Sequence, residues 1–309
     1  MELRTLLRLQ GEITMATQVF PAYRIFTDAT ADLNTALQSG LPSIEVIPME
    51  VQVGDATYTY GPQGNLTPDA FYQMLREGQF ASTSQINPQT YRKAFEKALK
   101  SGYDALYICF SSGLSGTINA ARMCIEELQA AYPQRKILCV DSLAASIGEG
   151  LLVHEAARLQ AAGFSIDELA QWIEQHRLQV CHWFTVDTFA HLKHGGRVSA
   201  AAAAMGTILN IKPLLHVDEQ GKLQAMQKPR GQRQALRKLM EYLEAGWLPE
   251  ISRRIVIGHG SCPDTAASLA DMITSRFPEA QVFIADIGPV IGAHAGPGVL
   301  ALIYFGNNR

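Results

Sequence analysis

The sequence predicts an α/β protein of two domains: an N-terminal parallel sheet flanked by helices over residues 22–162, then a second α/β domain with a mixed or partly antiparallel sheet over 163–309, preceded by an extension, 1–21. Three observations carry this. From Ala22 to Leu159, short apolar runs rich in β-formers alternate with amphipathic runs at helical spacing, the order of a parallel sheet covered on both faces. After Gly163 the alternation loosens, and Ile211–Val217 with Gly221–Met226 reads as a hairpin across Asp218-Glu219-Gln220-Gly221, which brings antiparallel pairing. The length of 309 residues suits one large domain or two modest ones, and the change of pattern favours two.

The first strand lies in YRIFTDATADL and ends at Thr27-Asp28, before a helix start. Ile44–Val53 reads as a second strand, and Asp55-Ala56-Thr57-Tyr58 as a turn with a returning strand. Thr67 caps a helix that has Pro68 at its first position and runs through Leu75. After Ala81-Ser82-Thr83-Ser84-Gln85 and Pro88, a helix covers about Thr90 to Lys100. Asp104–Phe110 is a strand, Ile118 to Ala131 an amphipathic helix, and Lys136–Val140 a strand ending at Asp141-Ser142. In the second half, a helix over Ile166–Gln175 precedes the strand Val180–Val186, a turn at His194-Gly195-Gly196-Arg197, an alanine run Ala200–Ala204 and the hairpin. A basic helix from Arg230 to Glu244, the strand Arg254–Gly258, the helix Asp264–Arg276 and the strand Gln281–Ile287 follow, then a loop Gly288–Gly298 and a final apolar segment Val299–Phe305.

Composition narrows the function. A formal net charge of -3 gives no general attraction to nucleic acid, so no DNA or RNA role is expected. The five cysteines are odd in number, widely spaced and free of any Cys-x-x-Cys pair, as expected of buried thiols in a reducing cytoplasm. No run approaches the roughly 18 apolar residues of a membrane span, so no stable membrane insertion is expected. Glu2, Arg4, Arg8 and Glu12 interrupt the apolar centre that a signal peptide needs. Met15 is an alternative start that would leave Met1–Thr14 as an extension.

The stretch Phe110–Thr117, FSSGLSGT, joins a strand to a helix. A helix's first amides point outward without partners, and glycine and serine let a ligand approach them, so this joint suits a small anionic head group. The hydroxyls of Ser111, Ser112, Ser115 and Thr117 stand at the same place, and the alternative reading is that they only cap the helix. In Ile287–Gly298, four glycines and two prolines surround His294 and fix the backbone that aims it. Other patterns are incomplete. There is no phosphate loop ending in Gly-Lys-Ser/Thr, Gly113–Thr117 has threonine where a nucleophile elbow needs glycine, and Gly258-His259-Gly260 fails the dinucleotide fingerprint. His191-x-x-His194 needs further ligands to hold a metal and reads as a polar turn, so no metal is expected. The basic helix, with Arg230, Arg233, Arg237 and Lys238 opposite Leu236, Leu239 and Met240, reads as a solvated surface helix, with docking to a partner as the alternative.

Taken together, TDATADL, STSQINP, FSSGLSGT, VDSLAASIGEG, the Leu192–Arg197 element with Gly-Gly-Arg, and IGPVIGAHAGPG resemble the DegV family in order, from about Tyr23 to Gly306. The resemblance implies a bacterial, cytoplasmic, two-domain α/β protein that binds a long-chain fatty acid between its domains and has no cofactor. It implies a non-catalytic subunit that presents the acid to a separate dihydroxyacetone-kinase-like fatty acid kinase subunit, which makes acyl phosphate. The carboxylate-holding positions it implies are Thr83, Ser112 and His294, with Arg197 at the site's edge or in kinase engagement. Asn87, and Ala81-Ser82 where a lysine is common, depart from the family's pattern without touching those positions. The physics agrees: charge-assisted hydrogen bonds contribute about 1.5–3 kcal/mol each, and each buried methylene about 0.8 kcal/mol, so the tail sets affinity and the head group orientation. Two other readings remain: a serine-type lipid or ester hydrolase with Ser112 as nucleophile, His294 as base and Asp28 or Asp141 as orienter, and a regulatory lipid sensor.

Overall fold

Elements follow one another as β1 (Tyr23–Asp28), α1 (Thr35–Gln38), β2 (Ile44–Ile47), β3 (Met49–Val53), β4 (Ala56–Tyr60), α2 (Pro68–Arg76), β5 (Ala81–Thr83), α3 (Pro88–Lys100), β6 (Asp104–Cys109), α4 (Thr117–Ala131), β7 (Ile137–Asp141) and α5 (Ile147–Ala161). The second half continues with α6 (Ile166–His176), β8 (Val180–Thr185), α7 (Ala190–His194), β9 (Leu214–Val217), β10 (Leu223–Gln227), α8 (Gln232–Gly246), β11 (Arg254–His259), α9 (Pro263–Arg276), β12 (Gln281–Asp286), α10 (Pro289–Ala295) and β13 (Leu300–Phe305). This is a computed structural model, and it describes residues 22–198, 210–307 and 309. The extension 1–21, the choice between Met1 and Met15, and the run Ala200–Ala204 lie outside the described residues.

A parallel sheet of order β2-β1-β6-β7 carries the first half, and a six-stranded sheet of order β10-β9-β8-β13-β11-β12 the second. In the larger sheet β11 and β12 are parallel and the other pairs antiparallel. Strand periodicity decides the layers. Along β6, Leu106 and Ile108 face the layer of α5 and α6, while Ala105, Tyr107 and Cys109 face α3 and α4. Along β13, Ala301, Ile303 and Phe305 join the same central core, and Leu300, Leu302 and Tyr304 pack against α8 and α9. Helix α5 therefore lies between the two large sheets, which explains why it is buried nearly all round, Glu149 and His154 included.

Two expectations need correction. Ile44–Val53 is not one strand. Pro48 lacks the amide hydrogen that a ladder needs, and the chain leaves the parallel sheet there to form a separate antiparallel sheet, β4-β3-β5. The segment Gly288–Gly298 is not a loop throughout, because Pro289 starts the short helix α10, which Gly296 ends with φ +79°. On α8, Leu236, Leu239 and Met240 are buried while Arg233 and Arg237 are exposed, the arrangement of a solvated surface helix.

Candidate functional site

Where the carboxyl ends of the parallel strands approach the six-stranded sheet, the fold forms a partly open cavity between them. One side of the α10 segment forms a wall, with Ile287, Val290, Ile291 and His294 at i, i+3, i+4 and i+7. Met49, Phe110 and Leu192 close another side, and Phe184, Ala301 and Ile303 of the larger sheet form the floor. The lining is mostly aliphatic and aromatic, and its polar groups gather at particular places.

The mouth collects residues from four segments. Thr83 ends β5, and its Oγ1 lies 2.9 Å from His294 Nε2. Gly195, just after α7, stands against the imidazole: an added Cβ would come within 2.1 Å of His294 Nδ1. Burial first, then the neighbouring Arg197 guanidinium, pushes His294 down to about 4, so the ring is neutral at physiological pH. Nδ1 is buried and has no hydrogen-bond partner among the described residues. Placing the proton on Nε2 avoids an orphaned N–H at Nδ1; in that tautomer the ring donates to Thr83, whose own O–H is left for a ligand. Arg197 donates through Nε to Leu114 O at 3.1 Å and through Nη1 to Gly195 O at 2.5 Å. It fixes the Gly-Gly-Arg turn against the serine-rich loop and itself lines the mouth.

The four hydroxyls of FSSGLSGT divide their work. Ser111 is buried and donates to Gly221 O at 2.8 Å, tying the loop to the β9–β10 hairpin. Thr117 is buried against Tyr91, with 2.9 Å between their hydroxyl oxygens. Ser115 accepts from Thr117 N–H at 3.2 Å and lines the cavity, its O–H still free to donate. Ser112 is exposed and outside the cavity lining, with its backbone N–H on Asp141 Oδ1 at 3.2 Å. The strand-to-helix joint was legible in sequence, but which hydroxyl turns inward follows from the loop's course: its first serine is drawn to the hairpin and its second out to solvent.

The hydrolase arrangement is not assembled. Ser112 is away from the cavity, His294 Nε2 is engaged by Thr83, and Asp28 is buried in contacts with Tyr107 and Thr30. His191 and His194 both pack on the exposed ring of Phe80, with centroids 5.0 and 4.7 Å away. Among the described residues, no group of three or more His, Cys, Asp or Glu side chains is placed to hold a metal ion, and no helix is long and apolar enough to cross a membrane. All five cysteines are free.

The sequence did not single out a second polar place in the cavity wall, formed by Thr30 and Ser146. Thr30 Oγ1 lies 2.5 Å from Asp28 Oδ1 and 2.8 Å from Glu149 Oε2. A hydroxyl between two carboxyl groups donates to one and accepts from the other, so one of these acids holds a proton. Burial raises Asp28 as well, but it also accepts from Tyr107 O–H at 2.7 Å and Thr30 N–H at 3.0 Å, hydrogen bonds that favour its charged form and make it the better placed of the two to carry the charge. Burial, and then the charge of Asp28, pushes Glu149 well above the usual carboxylate range. Ser146 Oγ lies 2.6 Å from Asp32 Oδ2, and burial raises Asp32 to about 8.

Fold and cavity define a class: an α/β protein whose two large sheets enclose a mostly apolar slot with hydrogen-bonding groups at its mouth. The chain belongs to the DegV family, whose description as an uncharacterised protein family matches residues 22–307. A DegV domain-containing protein of Clostridium perfringens is 41% identical over 285 residues, 92% of this chain and 98% of the relative. Among solved structures, a DegV family protein from Thermus thermophilus described by its fatty acid binding is 28% identical, with TM-score 0.80, covering 92% of this chain and 99% of that one. DegV of Bacillus subtilis, described as a fatty acid binding protein, is 26% identical with TM-score 0.77, covering 91% and 98%. The Streptococcus pneumoniae fatty acid kinase (Fak) B3 protein, loaded with linoleic acid, is 23% identical with TM-score 0.81 over 92% of this chain and 99% of that one, a likeness of fold.

Proposed function

We propose that this protein binds one long-chain fatty acid in the cavity, tail along α10 and carboxylate at the mouth, and presents that carboxylate to a separate dihydroxyacetone-kinase-like subunit that phosphorylates it. The observation that carries the reading is the amphiphilic cavity, mostly apolar in its lining, with Thr83, His294 and Ser115 at its mouth. Taking 22–162 and 163–309 as the two domains, the acid lies where they meet. Thr83 and Ser115 donate to the carboxylate, His294 holds Thr83 in place, and the Arg197 guanidinium lowers the cost of bringing the charge to the mouth. A cytoplasmic location, where such a kinase and its nucleotide are found, accompanies the reading.

Ser115→Ala is expected to weaken fatty acid binding about tenfold, and Ser112→Ala to leave it nearly unchanged. Titration of delipidated protein checks both, and the reverse order would return the carboxylate contact to Ser112. Gly195→Ala tests the support of the pair. The backbone at Gly195 has φ -76° and ψ -6°, which alanine adopts freely, so the variant should fold normally yet displace His294 and lose affinity. Unchanged affinity would mean that the imidazole's position does not matter. Arg197→Ala should lower the rate of acyl-phosphate formation by the kinase subunit more than it lowers affinity. A purely affinity-based loss would confine Arg197 to the pocket.

A further inference from the structure

The cavity's second polar place has no part in holding a carboxylate at the mouth. Its position follows from α10. His294 marks the mouth, and the opposite end of the same wall is Ile287-Gly288, roughly 10 Å away at the helical rise of 1.5 Å per residue. Ser146 is at that end. Its hydroxyl meets Asp32 Oδ2, and Asp32 Oδ1 lies so near Gly288 that a Cβ there would come within 2.3 Å of it. Ser146 also begins α5 without capping it, since its side chain bonds no helix amide and turns to Asp32 instead. Thr30, 1% exposed, and Ser146, 7% exposed, are thus buried hydroxyls in a wall otherwise suited to hydrocarbon.

A plain methylene chain passing this place leaves the remaining hydrogen-bonding capacity of Ser146 unused, and buried polar groups favour ligands that use it. The contact between Ser146 and Asp32 accommodates either direction. With Asp32 ionised, Ser146 donates to it and offers the cavity lone pairs; with Asp32 protonated, the acid can donate and free the serine O–H. A hydroxyl is the substituent that satisfies both states, because it donates and accepts. The third polar residue here, His182, is already satisfied, with Nδ1 2.8 Å from Val180 O and Nε2 accepting from Ala145 N–H at 3.3 Å.

From this geometry we infer that the cavity is specific for long-chain fatty acids carrying a hydroxyl near the middle of the chain, which Ser146 recognises with Thr30 beside it. The inference rests on the fatty-acid reading above and names the substrate class within it. Competition on delipidated protein, with stearic acid and a series of mid-chain hydroxystearic acids as probes, tests it. One hydroxyl position is expected to bind about two- to tenfold tighter than stearic acid, and Ser146→Ala to bring that ratio to about one. If every hydroxystearic acid binds as stearic acid does or more weakly, or if the preference survives in Ser146→Ala, the inference is overturned while fatty acid binding stands. Failure of stearic acid and all hydroxystearic acids to bind would overturn the fatty-acid reading itself.

Discussion

His294→Ala is expected to weaken retention of a long-chain fatty acid by roughly ten- to a hundredfold, and Thr83→Val by a similar factor. The reason is a two-part donor. The imidazole, neutral because burial pushes it down to about 4, lies 2.9 Å from the Thr83 hydroxyl, which in the proposed function donates to the carboxylate. Removing either member spoils the same contact, so the double variant should lose much less than the product of the single losses. Displacement titration with a fluorescent fatty acid measures all three proteins. Independent, additive losses would show that His294 and Thr83 hold the carboxylate separately.

The second large effect concerns stability. Asp32 is raised to about 8, by burial first and by the charges of Asp286 and Asp28 after it, against an ordinary carboxyl in the unfolded chain. A raised acid holds its proton in the folded state, so its stabilising contribution is complete below the unfolded value near 4 and is lost as pH rises towards 8. Through that window the folded protein should lose about 1.4 kcal/mol per pH unit for this proton, with Glu149 acting in the same direction. Asp32→Asn keeps the size of the side chain and an acceptor for Ser146 but never ionises. The variant should therefore match the parent only near or below pH 4 and exceed it progressively as pH rises towards 8. Denaturant titrations at several pH values check this, and parallel curves for parent and variant would show that Asp32 titrates normally.

Much of the fold was legible because strand and helix periods are strong signals. β6 alternates between two apolar faces, and α2 carries its threonine cap and proline at the start. The losses have physical causes. Pro48 breaks what looks like one apolar run, because a missing amide hydrogen outweighs local β propensity. Helix α5 has no polar face from which its bounds could be read, since it is enclosed by two sheets. β5 has three residues, too few for a period.

At the site, motif resemblance pointed to Thr83 and His294, which the structure brings together, and to Arg197, which it places at the cavity mouth. The same resemblance pointed to Ser112, which is exposed outside the cavity lining while Ser115 lines it, because Ser111 is tied to Gly221 O, a contact formed across more than a hundred residues of chain. Thr30 and Ser146 were invisible for the same reason, since only folding brings β1's end, the start of α5 and Gly288 to one wall.

The most direct test of fatty acid binding is native mass spectrometry of freshly purified protein, followed by denaturing lipid extraction and by the same measurement after adding fatty acid. One long-chain fatty acid per chain is expected, present on purification or taken up on addition. A protein that is empty when purified and takes up no added fatty acid would contradict it.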